Sequence, residues 1–481
     1  MKYLTGCQRA FFVPFVGGLF GGVLVLGLAS VQVQALTLQQ AVQLAVDTHP
    51  TVQGAEAARR ARNQQIKQAR APFYPTVDVR AATGYERSNT PGTRGRAGRG
   101  IGPSTVVGVG PFGGPGSGSN QTDNEAHVDM LHTDSQILVR QMLFDGFETW
   151  NRTAAAEIRV KAAGFQVRDA EEIIALRAVE AYLSVQRNRE IVTLAEENVE
   201  AHVDVLGDVR IRAREGGGSI ADVRQAEARL ALARTRLTNQ RGELRDAETD
   251  FIEAIGTAPD NLELADVPED LVPETMEASV EEALSRSPVI RAAATTVDAR
   301  RTDVEASKGV MWPRLDIELT AQRNQNISGS RGMELFYRAF GVVRWNLFQG
   351  GANLANTRRL NEVASQAVQS EAEQRRLVVE QMRIDFNARQ VASDRIPTLE
   401  DRVLAADQVV AAYRQQFQLG QRTLLDVLDV ENELFQARVA LVAGEFAYRV
   451  ANYQMLSTIG TLGPALGVVE PEETMAANTA E

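Results

Sequence analysis

The chain has 481 residues, with 62 acidic against 51 basic side chains, 6% aromatic residues, 16 prolines and one cysteine. The acidic balance excludes nucleic acid as a charge-held partner, and a lone cysteine excludes a disulfide framework. Few aromatics and few prolines suit long helices better than a spherical core.

Residues 1–35 read as a cleaved export signal. Lys2 and Arg9 precede an apolar run from Phe11 to Leu28, and Val33-Gln34-Ala35 closes it with a cleavage-type ending. The alternative is a membrane-spanning anchor, which the glycines within the run disfavour. Cys7 lies inside the signal rather than at the end of the apolar run, so lipid attachment is not expected. The mature chain then keeps 49 basic against 62 acidic residues. No later segment is apolar for long enough to form a membrane helix. Entry into a membrane would need strands, which points to an outer membrane.

The remainder says nearly the same thing twice. His49-Pro50 and Pro75 match Ser287-Pro288 and Pro313 at a separation of 238 residues. Phe144, Gly216, Asp222, Glu227 and Ile255-Gly256 match Phe348, Gly420, Asp426, Glu431 and Ile459-Gly460 at a separation of 204. A repeat this long makes one architecture from two halves. The expected divisions are a first repeat over 36–256, a linker over 257–275, a second repeat over 276–460 and an acidic, disordered tail over 461–481. The register changes where the first copy carries a Gly/Pro-rich loop, residues 87–126, expected to be flexible and exposed.

Each copy opens with a helix, at Leu38–Ala71 and Ser279–Lys308, interrupted near Pro50 and Pro288 and ended before Pro75 and Pro313. Tyr74 and Trp312, beside those prolines, suit a membrane–water boundary. Leu315–Gln322 alternates apolar and polar residues, and Val77, Val79, Ala81, Thr83 and Tyr85 form a weaker counterpart. Return strands are expected at Gln136–Phe144 and Arg338–Phe348. A helix from Trp150 to Glu215 follows, whose 66 residues span ~100 Å at ~1.5 Å per residue. Pro397 predicts a kink or side layer in its counterpart. Val185, Val192, Val199 and Leu206, and likewise Val427, Leu434, Leu441, Tyr448 and Met455, keep seven-residue spacing, which means coiled-coil seams. Glycines Gly216-Gly217-Gly218 and Gly420 mark the turn into a second long helix in each copy.

Four strands per chain cannot close a membrane barrel, and an open edge in lipid leaves backbone groups unpaired. Several chains must share one barrel, and three, giving twelve strands, leave a channel.

On these residues the chain resembles the TolC-type outer-membrane efflux and secretion channels over about residues 36–465. The matches are Leu36-Thr37-Leu38 with Ala41 and Ala45 before His49-Pro50, the strand start at Pro75, and Asn346-Leu347-Phe348-Gln349-Gly350-Gly351. The most specific is Leu419-Gly420-Gln421-Arg422-Thr423-Leu424-Leu425-Asp426-Val427-Leu428-Asp429, with a weaker copy at Gly218-Ser219-Ile220-Ala221-Asp222-Val223. The resemblance implies an α+β membrane protein: a trimeric twelve-stranded β-barrel in the outer membrane of a Gram-negative-type cell, continuing into a twelve-helix periplasmic tunnel. It also implies a closed tip opened by an inner-membrane ABC or proton-driven transporter and a periplasmic adaptor docking near the tip turns. By position, Arg422 and Asp222 would hold the tip shut, and Asp426 and Asp429 would ring the aperture and favour cations. Phe417 stands where some relatives have a Tyr in the same network, and Tyr413, one turn earlier, is the candidate replacement. The bland alternatives are ordinary surface charges and helix N-terminal acids.

Catalytic readings find no site. His49, His127, His132 and His202 fall in different elements. Gly108-Val109-Gly110-Pro111-Phe112-Gly113 matches a nucleotide-binding pattern formally, but Pro111 interrupts it and no helix follows. No enzyme activity, cofactor or metal is expected. The competing class is a periplasmic coiled-coil adaptor without a barrel. Within the duct reading, cargo stays open between type I protein secretion and drug or metal efflux. Absence of a lipid-attachment cysteine leans toward secretion by family analogy.

Overall fold

The computed structural model describes residues 35–89, 128–265, 269–329 and 331–468. The expected export signal up to Gln34, most of the Gly/Pro-rich loop and the tail beyond residue 468 lie outside the described residues.

The first repeat runs α1 (Leu38–Thr48), α2 (Pro50–Arg70), a 3-10 turn (Ala71–Phe73), β1 (Thr76–Ser88), β2 (Val128–Phe144), α3 (Glu148–Arg214) and α4 (Ile220–Ile255). The second runs α5 (Met276–Arg286), α6 (Pro288–Gly309), β3 (Arg314–Gln325), β4 (Met333–Arg344), α7 (Ala352–Gln418) and α8 (Leu424–Ile459), followed by the short α9 (Leu462–Ala465). Pro50 and Pro288 each occupy the first turn of a new helix, where a missing N–H costs nothing. The interruptions are therefore clean breaks between two helices.

Three elements differ from expectation. β2 begins at Val128, well before Gln136, and β4 begins at Met333 and ends at Arg344 rather than running Arg338–Phe348. Trp345 leaves the sheet and its indole N–H donates to the Met311 carbonyl at 3.1 Å, while Gly350 and Gly351, at φ 62° and 82°, turn the chain into α7. α7 runs through Pro397 as one helix of 67 residues.

The sheet is antiparallel throughout, in the order β1-β2-β3-β4. β2 and β3 pair in the middle, so the two repeats share one sheet, with Arg140 opposite Glu318. Its two faces separate by chemistry. Asp78, Arg80, Arg140, Asp316, Glu318 and Arg344 share one face, in register across the strands. Val77, Val79, Ile137, Leu319, Leu335 and Tyr337 share the other and are exposed. The polar face is cross-linked: Glu318 accepts from Arg140 at 3.0 Å, and the fully buried Asp316 accepts from Arg314 at 3.0 Å and Arg344 at 2.7 Å. An apolar face of this extent on an exposed sheet marks lipid contact.

Helices extend from the sheet in the lateral order α2-α3-α6-α7 and continue beyond the middle as α4-α3-α8-α7. At ~1.5 Å per residue the 67-residue α3 and α7 are each ~100 Å long. The largest core sits midway, where α1, α5 and α9 wrap the rods and bury Val42, Tyr182, Phe251, Met382, Tyr453 and Met455. Tyr182 donates its hydroxyl to the carbonyls of Leu36 and Glu263, at 2.8 and 2.6 Å, tying the start of the first repeat to the segment between repeats.

Residues 462–468 are ordered, although the whole of 461–481 was expected to be disordered. The buried Glu172 carboxylate on α3 accepts from the backbone N–H groups of Leu462 at 3.1 Å and Gly463 at 3.4 Å, docking α9. Burial pushes the Glu172 carboxyl up to about 8, against the downward pull of those two N–H donors and of Arg168.

At the rod–sheet junction, Gly146 adopts φ 69° and packs against Gly309. A Cβ on Gly309 would lie 2.6 Å from Glu148 Cβ and 2.8 Å from its backbone nitrogen. Gly309→Ala should therefore cost ~1–3 kcal/mol, read as a lowered thermal midpoint of the detergent-solubilised protein. The folded state holds the Glu172 proton more tightly than the unfolded chain, whose carboxyl titrates at its ordinary value of 4.5. That contribution is complete below pH 4.5 and is lost as pH rises toward about 8. Glu172→Gln should flatten the pH dependence of the midpoint across this window.

Candidate functional site

The two turns far from the sheet form the tip of the rods. Residues 215–219 join α3 to α4, and residues 419–423 join α7 to α8. Gly216 and Gly420 adopt φ 82° and 76°, a left-handed conformation that glycine reaches without strain. Gly217 and Gly218 continue the first turn, exposed.

Each turn feeds a capping box. Ser219 Oγ accepts from Ala221 N–H at 3.0 Å, and the Asp222 carboxylate accepts from Ser219 N–H at 3.1 Å. At the second tip, Thr423 Oγ1 accepts from Asp426 N–H at 3.2 Å, and Asp426 accepts from Thr423 N–H at 3.1 Å and from its hydroxyl at 2.8 Å. These bonds from Thr423, hydroxyl first, hold the Asp426 carboxyl below its ordinary value, so it stays ionised.

The residues expected to form the latch are each engaged within their own hairpin. Arg422 Nε donates to Gln416 Oε1 at 2.9 Å, and its guanidinium lies 4.1 Å from the centroid of the Tyr413 ring. Asp222 is held by Ser219, so one chain does not bring Arg422 and Asp222 together. Asp429 accepts from Arg229 at 3.0 Å, linking α8 to α4. Phe417 is buried in a small apolar cluster with Val205, Val209, Val223, Val427 and Leu428.

Sequence reasoning missed the arginines that brace this cluster. Arg210 pairs with Glu227 at 2.9 Å, and Arg414 pairs with Glu431. Both members of the pair recur 204 residues apart, so the register that matched Glu227 to Glu431 held the signal. Glu431 is buried, and its hydrogen bond raises the Arg414 pKa. Arg212 reaches from α3 to the end of α7, with its guanidinium 4.4 Å from the Phe417 ring centroid. Nearby, the buried His202 ring bonds the Asn198 carbonyl at 2.8 Å, and burial pushes its pKa down.

At the opposite end, Tyr74 and Trp312 are 67% and 61% exposed at the rod–sheet junction. Phe147, Trp150 and Trp345 are exposed there too and extend the aromatic band. Among the described residues no helix is long and apolar enough to cross a membrane, and no group of His, Cys, Asp or Glu is placed to hold a metal ion.

A lipid-facing open sheet, an aromatic band and paired rods ~100 Å long define the subunit of an outer-membrane channel. Comparisons with known proteins agree. The outer membrane efflux protein family model matches residues 41–257 and 279–461. The outer membrane efflux protein BepC of Brucella suis biovar 1 is 30% identical over 344 residues, 70% of this chain and 75% of BepC. The proteases secretion protein PrtF of Dickeya chrysanthemi is 24% identical over 451 residues, 91% of each chain. The crystal structure of the Campylobacter jejuni CmeC outer membrane channel superposes with a TM-score of 0.71 at 12% identity, covering 92% of this chain and 88% of CmeC. This chain belongs to the outer membrane efflux protein family, as a TolC-type outer-membrane channel with a long periplasmic extension.

Proposed function

We propose that three copies assemble into one exit duct, a twelve-stranded barrel continued by a twelve-helix tunnel, opened at its periplasmic tip by an adaptor and an inner-membrane transporter. The observation that carries this reading is what the single chain leaves unpaired. β1 and β4 each keep an open edge at the ends of the sheet. α7, the outermost rod on the β4 side, exposes Leu377, Ile384 and Val391 at seven-residue intervals. That is a coiled-coil seam awaiting a partner, beside a sheet edge awaiting the same partner. A coiled-coil adaptor has no use for an exposed apolar sheet, so the open sheet also supports the duct over that alternative.

The tip residues take their roles in this assembly. Arg422 and Asp222 pair between neighbouring chains across the closed tip, a bidentate contact that holds at rest and yields to a partner. Asp426 and Asp429, repeated by threefold symmetry, give the aperture a cation preference, with Arg229 tempering Asp429. The Gly216-Gly217-Gly218 and Gly420 turns present the docking surface for the adaptor. Tyr74 and Trp312 sit at the membrane–water boundary. The duct passes secreted polypeptide or small molecules, and the attached transporter sets the choice. BepC is named for efflux and PrtF for protease secretion, and both cargoes suit a passive lined path.

Purified full-length protein should run as a heat-modifiable trimer and form channels in planar bilayers, with Arg422→Ser raising single-channel conductance. A water-soluble monomer that forms no channels would end the duct reading. Replacing Asp426 and Asp429 by Ala should move the reversal potential toward zero in a salt gradient, and an unmoved potential would remove the ring.

A further inference from the structure

We infer that Arg212 is a clasp, built into each chain, that fastens the second hairpin to the first and holds the tip in its narrow state. This rests on the duct reading and adds to it a contact made within one subunit. Arg212 lies two residues before the end of α3. It reaches out of its own hairpin and donates to the carbonyls of Phe417 at 2.6 Å and Gln418 at 3.0 Å. Those are the last residues of α7, where carbonyls lack partners within the helix; the Phe417 carbonyl also accepts from Gly420 N–H at 3.0 Å, so Arg212 adds a second bond to it. A cation there also meets the negative end of the helix dipole. The same guanidinium lies over the Phe417 ring, 4.4 Å from its centroid, so one side chain grips both the backbone and the side chain of a buried residue.

The clasp runs in one direction. The repeat places Gln416 204 residues after Arg212, and Gln416 accepts from Arg422 inside its own hairpin. Only the first hairpin therefore reaches across with an arginine at this position. Other links, half-buried Arg229 to exposed Asp429 and Arg236 to Asn432, lie further along α4 and α8. Any widening that separates the α3–α4 turn from the α7–α8 turn must break both carbonyl contacts and slide the guanidinium off the ring. Phe417 fits the arrangement. Its ring has no hydroxyl to donate, and the cross-hairpin donor is supplied by Arg212 instead.

The test is Arg212→Gln, which installs the residue found at the equivalent place in the second repeat, with Arg212→Lys and Phe417→Leu beside it. All are made in the full-length chain. Two readouts are compared with wild type: amide hydrogen exchange of the peptide spanning residues 413–421, and open occupancy in planar bilayers. Arg212→Gln should speed exchange in that peptide and raise open occupancy by about tenfold or more, since both charged carbonyl contacts are lost. The thermal midpoint and exchange in the middle core should not change. Lys keeps the charge but not the flat fork, so it should fall between the two, and Phe417→Leu should give a smaller rise. Unchanged exchange in Arg212→Gln overturns the clasp. So does faster exchange with wild-type occupancy while Arg422→Ser still opens the channel. If wild type itself makes no channel, the duct reading fails, and the exchange measurement still decides whether Arg212 fastens the hairpins.

Discussion

Backbone hydrogen bonding in a medium without water governs this molecule. Every peptide group in the four strands must find a partner inside the layer, and one chain satisfies only the interior pairs, β1 with β2, β2 with β3 and β3 with β4. The two outer edges are incomplete by construction. The apolar face pointing away from the charged one makes the demand stricter, because the strands it faces cannot fall back on solvent. Everything else in the chain is arranged around that deficit. The rods leave the sheet in the same lateral order as the strands they adjoin, so completing the sheet also completes the wall of helices.

Far from the membrane the constraint changes. The rods are held by two separated cores, one midway and one at the tip, and the tip core is small. Its helices begin on capping boxes and are braced by arginine–carboxylate pairs at matching positions in both repeats. Arg210–Glu227 is largely open to water and contributes modestly, whereas Arg414–Glu431 has a buried carboxylate. In the proposed duct, a tip held by several weak contacts and one stronger one stays closed unaided and still yields to a binding partner of ordinary affinity. The midway core, with its buried tyrosines and the docked α9, has no such slack.

Much of this was legible in the sequence because it depends on spacing. The proline pairs located the helix breaks, alternation at Leu315–Gln322 located a strand, and the 204-residue register located both tip turns. Helix ends followed from glycine and capping chemistry. What escaped depends on where long side chains go. Arg212, Arg229 and Arg414 look like solvated charges in the sequence, and their partners lie up to about 200 residues away. Phe417 stands out in the sequence for its missing hydroxyl, whereas its position beneath Arg212 follows only from the packed tip. The extra length of β2 was hidden because Asp129, Thr133 and Ser135 dilute the apolar alternation. The ordered α9 was hidden because its anchor, Glu172, sits beside Glu171 and near Asp169 in a helix full of acids.

The central pairing of β2 with β3 also fixes a sequence of events in biogenesis. Arg140 meets Glu318 across a separation of 178 residues, so the first half cannot close its sheet while the second is still being made. Contacts this remote are slow to form. Until then the polypeptide carries greasy strands with nothing beside them, a state prone to clumping. In the proposed trimer its outermost strands are satisfied by encounter with sister copies, a step whose rate depends on how many have arrived.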